Sequence, residues 1–228
     1  MARRPAAGTQ PAGADLGAAY AHLAEADPVL AALLERIGPP PAVDATDDTA
    51  GPTATVRNAP YTALLRAIVG QQLSTKAARS IYGRLLDYFG GDAPSPEQVL
   101  DAEPEELRAA AGLSRAKVTY LRSLAEHVLS GELELDRFDE LDDETIVREL
   151  TAVKGVGVWT AHMFLMFQLG RPDVLAVGDL GVRKGAQLAY GLEAMPTPAE
   201  LEALAARWAP YRTAACRLLW RSLDNEPT

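Results

Sequence analysis

Several kinds of residue are scarce in this chain, and each shortage excludes a class of protein. One cysteine, Cys216, stands among 228 residues, which excludes an internal disulfide framework, a four-cysteine zinc site and a four-cysteine iron–sulfur cluster. Three histidines, His22, His127 and His162, lack the spacing of metal ligands, so no metal site is expected. Aromatic residues make up only 6% of the chain, while alanine, leucine and arginine are abundant, which favours helices over β-sandwiches.

Long apolar runs are also missing. No segment has the length and composition of a membrane span or of a secretory signal. The sequence therefore predicts a soluble cytoplasmic protein with no membrane partner.

The formal net charge is −9, which argues against a nucleic-acid partner. The charge is unevenly distributed, however. Residues 57–90 contain five basic residues and one acidic residue, and residues 150–190 contain four and two. The intervening residues 92–149 contain sixteen acids and six bases. An acidic module thus separates two mildly basic ones.

Hydrophobic spacing and capping residues predict an all-α fold after a disordered segment at residues 1–14. The Asp27-Pro28 and Ser74 positions are typical helix starts, and Gly38 is a typical helix end. The run at 174–177 is too short to decide between strand and coil, and 39–58 is predicted to be a loop. The predicted helices are 15–26, 28–37, 60–69, 74–89, 96–101, 104–110, 114–129, 142–152, 158–169, 180–189, 198–206 and 210–223.

A glycine hairpin, Lys154-Gly155-Val156-Gly157, lies between two of these helices. Glycine tolerates the positive φ of a tight reversal and lacks the Cβ atom that would keep a phosphate from the backbone N–H groups. The N-terminus of the following helix also favours an anion. Val153 and Val156 are predicted to anchor the hairpin in the core. The pattern indicates binding of a phosphate backbone, and a plain turn between helices is the alternative. No GxxxxGK[ST] phosphate loop is present.

Asp179 stands alone at the start of the helix predicted at 180–189. A carboxylate there can cap the helix, and it can also stabilise positive charge on a reacting sugar. The two roles are compatible, so Asp179 is the candidate catalytic residue.

The segment KGVGVWTA at 154–161 resembles the hairpin of the helix-hairpin-helix DNA glycosylases, and Asp179 falls where that superfamily carries its catalytic Asp. Within it the chain is most similar to the 3-methyladenine DNA glycosylase II branch, which excises alkylated bases. Residues 66–74, 150–184 and 207–220 carry the likeness. The resemblance implies a helical glycosylase core over 15–228, with a hairpin motif at about 142–169. It also implies two packed helical subdomains and an active-site cleft between them.

The resemblance further implies a monomeric enzyme that acts on double-stranded DNA without a cofactor, with a monovalent cation at the hairpin as an open question. Relatives that also nick the backbone carry a Schiff-base Lys at the position of Trp159, which cannot do this chemistry. A monofunctional glycosylase that leaves an abasic site is therefore expected. Lys154 departs from the Pro that is frequent at its position. A β-rich domain that precedes the core in some relatives is expected to be absent.

Site residues follow from the same likeness. Gln72, with Gln71 as the alternative, is expected to fill the space left by the extruded base. The base pocket is expected to involve Trp220, then Trp159 and Met163, although core packing is the alternative for all three. Arg183 and Lys184 either contact phosphate or solvate a helix face. The residues expected to bind DNA are Gln72, Lys154, Gly155, Val156, Gly157, Thr160, Arg183 and Lys184.

Other functions remain open from the sequence alone. The chain could be a non-catalytic protein that binds damaged DNA, which would not need Asp179. It could also be a glycosylase for another lesion, or a helical interaction module unrelated to DNA. Among alkylated bases, 3-methyladenine, 7-methylguanine, 1-methyladenine, ethenoadenine and hypoxanthine all remain candidates.

Overall fold

The computed structural model describes residues 15–41 and 60–224, and within these ranges the secondary structure is entirely helical. The predicted all-α fold is thus confirmed. The predicted disorder at 1–14 and most of the predicted loop at 39–58 lie outside the described residues. The α-helices are α1 Leu16–Ala26, α2 Pro28–Ile37, α3 Pro60–Gly70, α4 Thr75–Tyr88, α5 Pro96–Asp101, α6 Pro104–Ala111, α7 Arg115–Ser130, α8 Asp143–Ala152, α9 Val158–Met163, α10 Leu180–Ala189, α11 Pro198–Ala205 and α12 Arg212–Asp224. None of them, in the part of the chain described, has both the length and the apolar character needed to cross a bilayer.

The chain divides into two compact units. Of the described residues, the first unit contains 60–168, with α3 to α9, and the second contains 15–41 and 169–224, with α1, α2 and α10 to α12. Each has its own apolar core. In the first unit the core includes Leu64, Ile68, Leu85, Leu121, Leu124, Ile146 and Leu150, and in the second Leu23, Leu30, Ala186, Trp208 and Leu218.

Side-chain caps fix most helix starts at the positions that the sequence predicts. The Asp27 carboxylate accepts the N–H groups of Val29 and Leu30, and Pro28 occupies the first turn of α2. The hydroxyl of Ser74 accepts the N–H of Ala77 at the start of α4. Each cap of this kind stabilises a helix by roughly 1 kcal/mol, because it satisfies an N–H that has no partner within the helix.

Two local predictions need correction, and one open alternative is settled. The apolar stretch at 158–169 is a short α9 followed by a π-helical turn at Phe164–Gln168, because apolar spacing alone does not distinguish the two windings. Helix α12 begins at Arg212 and not at Pro210, because the first carbonyl to accept a helical hydrogen bond is that of Tyr211, from the N–H of Ala215 at 3.2 Å. The run at 174–177 forms neither strand nor helix.

Asp27 is fully buried in the second unit, with 0% of its surface exposed. One carboxylate oxygen caps α2, and the other accepts the hydroxyl of Tyr190 at 2.6 Å and the indole N–H of Trp208 at 3.1 Å. The residues lie 163 and 181 positions apart in the sequence. Asp27 therefore joins α2 to the C-terminal part of the same unit.

Replacing Asp27 with Ala is expected to lower the free energy of unfolding by about 3 kcal/mol, because it leaves the buried indole of Trp208 and the part-buried hydroxyl of Tyr190 without an acceptor and removes a cap. Urea denaturation followed by circular dichroism measures this. The matched control is Asp15→Ala, which removes only an exposed cap on Gly17 at the start of α1 and should cost about 1 kcal/mol. Equal losses in the two variants would contradict the assignment of Asp27.

Candidate functional site

The hairpin at 154–157 is a tight reversal between α8 and α9 in the first unit. Val153 and Val156 are buried, as predicted, and Lys154 is exposed. Gly155 has φ +83°, in the region that favours glycine. Gly157 has φ −96° and ψ 171°, so the prediction of a left-handed conformation holds for the first glycine only. The turn N–H of Val156, which donates to Val153 at 3.1 Å, closes the reversal without a second left-handed residue.

The hairpin rests on α7. A Cβ atom added to Gly155 would lie 2.2 Å from a ring carbon of Tyr120, so the backbone at this residue lies directly against the aromatic ring. One residue earlier, the N–H of Lys154 donates to the hydroxyl of Ser123 at 3.2 Å. Gly155 is thus required for both its φ and its close approach to α7.

The start of α9 presents an unusual surface. Gly157 is its N-cap and supplies no side-chain acceptor, so the first N–H groups of α9 are not satisfied by a cap. Val158 and Trp159 follow with 53% and 46% of their surfaces exposed, although the segment 158–169 is almost wholly apolar. Thr160 is buried, as is Val156, so a contact from either to a ligand would come from its backbone.

A second turn, at 71–73 between α3 and α4, belongs to the same unit. Gln72 is exposed and adopts φ +57°, the only such value among the non-glycine residues described. Gln71 differs, because its side-chain amide donates to the carbonyl oxygen of Gly155 at 2.8 Å. The structure thus separates the two glutamines that the sequence left as alternatives.

Asp179 lies in the second unit, at the N-cap of α10. Its Oδ1 accepts the N–H of Val182 at 2.8 Å and the indole N–H of Trp220 at 2.8 Å. The cap that the sequence indicated is therefore present, and it coexists with a specific contact to Trp220. Two donors on one oxygen fix the orientation of the carboxylate.

Two glycines that the sequence reasoning missed permit this contact. A Cβ atom at Gly181 would lie 2.9 Å from the indole of Trp220, and one at Gly185 would lie 2.6 Å from the carbonyl oxygen of Leu219. They occupy positions i and i+4 on one face of α10. Small residues at this spacing were a signal that α10 packs closely against α12.

The segment leading to Asp179 is held by the first turn of α12. Arg212 donates two hydrogen bonds to the carboxylate of Asp173, at 2.7 and 2.8 Å. The hydroxyl of Thr213 accepts the N–H of Val174 at 3.0 Å and donates to the carbonyl of Arg171 at 2.7 Å. No local sequence pattern marks these residues, which hold the irregular segment before Asp179 in place.

The other predicted site residues are placed as follows. Arg183 Nε donates to the carbonyl of Pro196 at 2.7 Å, so part of its guanidinium has a structural role. Lys184 is exposed and its Nζ donates to Gln187 at 3.0 Å. Met163 is 7% exposed in the first unit, which agrees with the alternative of core packing.

Burial shifts the pKa values of two titratable groups. Burial lowers the pKa of His162, which keeps its imidazole neutral at pH 7. Cys216 lies fully buried on α12, where burial raises the pKa of its thiol to about 12. Across the described ranges, no cluster of three His, Cys, Asp or Glu side chains could hold a metal ion.

A monovalent cation at the hairpin would need backbone carbonyl oxygens. Two of these, on Val153 and Gly155, accept hydrogen bonds from Val156 and Gln71, and each oxygen has a second lone pair. The hairpin therefore has suitable donor chemistry, and the cation stays an open question.

Comparison with known proteins identifies relatives over most of the chain. Residues 65–210 match the family model of the HhH-GPD superfamily base excision DNA repair protein. The DNA-3-methyladenine glycosylase 1 of Schizosaccharomyces pombe is 37% identical over 165 residues, which is 72% of this chain and 72% of that protein.

Two solved structures of 3-methyladenine glycosylases are similar to this chain over most of its length. The DNA-3-methyladenine glycosidase of Bacillus halodurans is 38% identical with a TM-score of 0.74, over 90% of this chain and 88% of that one. The Schizosaccharomyces pombe 3-methyladenine DNA glycosylase Mag1, in complex with abasic DNA, is 32% identical with a TM-score of 0.74, over 91% and 97%. The chain therefore belongs to the helix-hairpin-helix superfamily of base excision DNA repair proteins.

Proposed function

We propose that this protein is a monofunctional DNA glycosylase that removes alkylated bases from double-stranded DNA by hydrolysis of the N-glycosidic bond. The observation that carries the proposal is the Asp179 carboxylate, fixed at the start of α10 by the N–H of Val182 and the indole of Trp220. Family membership and relatives named as 3-methyladenine DNA glycosylases support the same reaction.

The chemistry requires stabilisation of a cation. As the bond between the sugar C1′ and the base nitrogen breaks, its electron pair leaves with the base and positive charge develops on the deoxyribose. The Asp179 carboxylate stabilises that charge electrostatically. The oxygen of a water molecule then bonds to C1′ and the water loses a proton, which leaves an abasic site. An alkylated purine that was cationic departs as a neutral base, so no second acid is needed.

Base recognition rests on aromatic faces. Cationic methylated purines are attracted to electron-rich rings, and indole is the strongest of these. In the second unit, Trp220 lies within hydrogen-bonding distance of Asp179, which places an aromatic ring beside the carboxylate. Trp159, on α9 in the first unit, is an exposed ring, and Met163 is buried in the core of that unit. We assign the aromatic wall of the base pocket to Trp220.

DNA binding is assigned to the hairpin and the turn at 71–73. Lys154 and the backbone N–H groups around Gly155 and Gly157 would hold phosphates, which gives affinity without sequence preference. Gln72 would fill the gap in the duplex once the target base is extruded. Arg183 and Lys184 are further candidates for phosphate contacts. The net charge of −9 weakens non-specific binding to DNA. Binding should fall further with salt, because each phosphate contact releases counterions.

The position of Trp159 bears on the products. With no lysine at that place, no Schiff base forms there with the sugar, and the strand stays intact after the base has left. The enzyme would act as a monomer, without a cofactor, in the cytoplasm.

Methylated duplex DNA tests this function directly. The wild-type protein is expected to release 3-methyladenine or 7-methylguanine, detected by chromatography, and strand breaks should form only after alkali converts abasic sites. Breaks without alkali would contradict the monofunctional assignment. Duplex binding without base release would instead favour a non-catalytic protein that binds damaged DNA.

A further inference from the structure

Gln71 joins two loops that are distant in the sequence. Its side-chain amide donates to the carbonyl oxygen of Gly155 at 2.8 Å, across 84 residues. One partner is the turn that carries Gln72, and the other is the hairpin. All of these residues lie in the first unit.

The turn itself holds an unfavourable backbone conformation. Gln72 has φ +57°, which a residue with a Cβ atom rarely adopts, and its side chain is exposed. The backbone N–H of Leu73 donates to Gly70 at 3.2 Å, which closes the turn from within. A conformation of this kind persists only when its surroundings fix it.

Helix α7 supplies part of that support. The ammonium group of Lys117 donates to the carbonyl of Val69 at 2.7 Å, in the last turn of α3, and burial lowers the pKa of this lysine. Tyr120 lies against Gly155, and Ser123 accepts the N–H of Lys154. These three residues of α7 are spaced i, i+3 and i+6, so one helix face supports both the end of α3 and the hairpin.

From this geometry we infer that Gln71 is a positioning residue that fixes the turn carrying Gln72 at a set distance from the phosphate-binding hairpin. The inference rests on the proposed function, because only a protein that binds DNA and extrudes a base needs the turn and the hairpin at a fixed distance. When the hairpin holds the backbone, the bond from Gln71 to Gly155 places Gln72 at a defined step of the duplex. Insertion of Gln72 and binding of phosphate thereby become one event.

The test uses the full chain and a duplex with a tetrahydrofuran abasic-site analogue beside a 2-aminopurine, whose fluorescence rises when it unstacks. Gln71→Met keeps the length of the side chain and loses the amide donor. We expect this variant to lower the equilibrium constant for unstacking about fivefold, the effect of one hydrogen bond. Its affinity for an undamaged duplex should stay within about twofold of wild type, since the phosphate contacts are retained.

Gln98→Met is the matched control. Gln98 also makes one side-chain hydrogen bond, but a local one, as acceptor of the Ser95 N–H in the capping box of α5 in the same unit. The control should lower the melting temperature as much as Gln71→Met does, or more, and leave the 2-aminopurine signal unchanged. A second variant, Gln71→Glu, presents a carboxylate to the Gly155 carbonyl and should reduce the signal at least as much as Gln71→Met.

Wild-type fluorescence amplitude in Gln71→Met would overturn the inference. So would a loss that Gln98→Met reproduces, because the effect would then be one of general stability. The fluorescence signal needs no bond cleavage. Failure of the wild type to release a base would therefore count against the proposed function, and it would leave the result for Gln71 interpretable.

Discussion

Asp179→Asn is expected to lower the rate of base excision by about 100-fold or more, because it removes the negative charge that stabilises the sugar cation. The fold should survive. Asparagine caps a helix about as well as aspartate does, and its Oδ1 can still accept the N–H of Val182 and the indole of Trp220. Single-turnover release of 3-methyladenine from methylated duplex measures the effect, and affinity for an abasic-site duplex should be largely retained.

The control for this prediction is Asp15→Asn, which makes the same change at the N-cap of α1. It removes the same charge from the protein and keeps a cap, so it should excise at the wild-type rate. If Asp179→Asn excised as fast as Asp15→Asn, the carboxylate would be only a helix cap. A melting temperature that fell strongly in Asp179→Asn alone would show that the charge serves the fold.

Gly155→Ala should disrupt the hairpin. The new Cβ would lie 2.2 Å from a ring carbon of Tyr120, at a residue whose φ of +83° already disfavours a side chain. Strain and overpacking together should lower the free energy of unfolding by about 3 kcal/mol. Displacement of the hairpin should also weaken binding to undamaged duplex at least tenfold, or about 1.4 kcal/mol. Denaturation curves and fluorescence anisotropy measure the two effects.

Gly131→Ala separates the effect of the left-handed backbone from that of the clash with Tyr120. Gly131 ends α7 with φ +76°, and a Cβ there would meet no atom within 4 Å. This variant should therefore show only the cost of the left-handed backbone, about 1 kcal/mol, and bind DNA as the wild type does. Equal stability of the two variants would mean that the ring of Tyr120 yields easily, and that Gly155 is needed only for its φ.

Local signals in the sequence account for the helices. Asp27-Pro28 and Ser74 start helices because their side chains satisfy N–H groups only two or three residues away. Such interactions involve only neighbouring residues, so a sequence pattern predicts them without knowledge of the fold. The winding of Phe164–Gln168 could not be read in this way, since an apolar stretch suits an α-helix and a π-helix alike.

The site was only partly predictable for the same reason. Asp179 and the hairpin stand out in the sequence itself. Trp220 was predicted only through the family resemblance. The bond from Gln71 to Gly155 and that from Arg212 to Asp173 join residues 84 and 39 positions apart, and no local pattern encodes them. The backbone conformation of a glycine is likewise not predictable from neighbouring residues. Gly155 and Gly157 look equivalent in the sequence, yet only Gly155 adopts the left-handed region and lies against an aromatic ring.

The burial of Cys216 has a chemical consequence for an enzyme of alkylation repair. Methylating agents are electrophiles that react readily with soft nucleophiles, and a thiolate is the softest that a protein offers. This chain contains a single cysteine. That thiol is out of contact with solvent, and its pKa of about 12 keeps it protonated. The one thiol of the protein is therefore protected from the reagents that create its substrate.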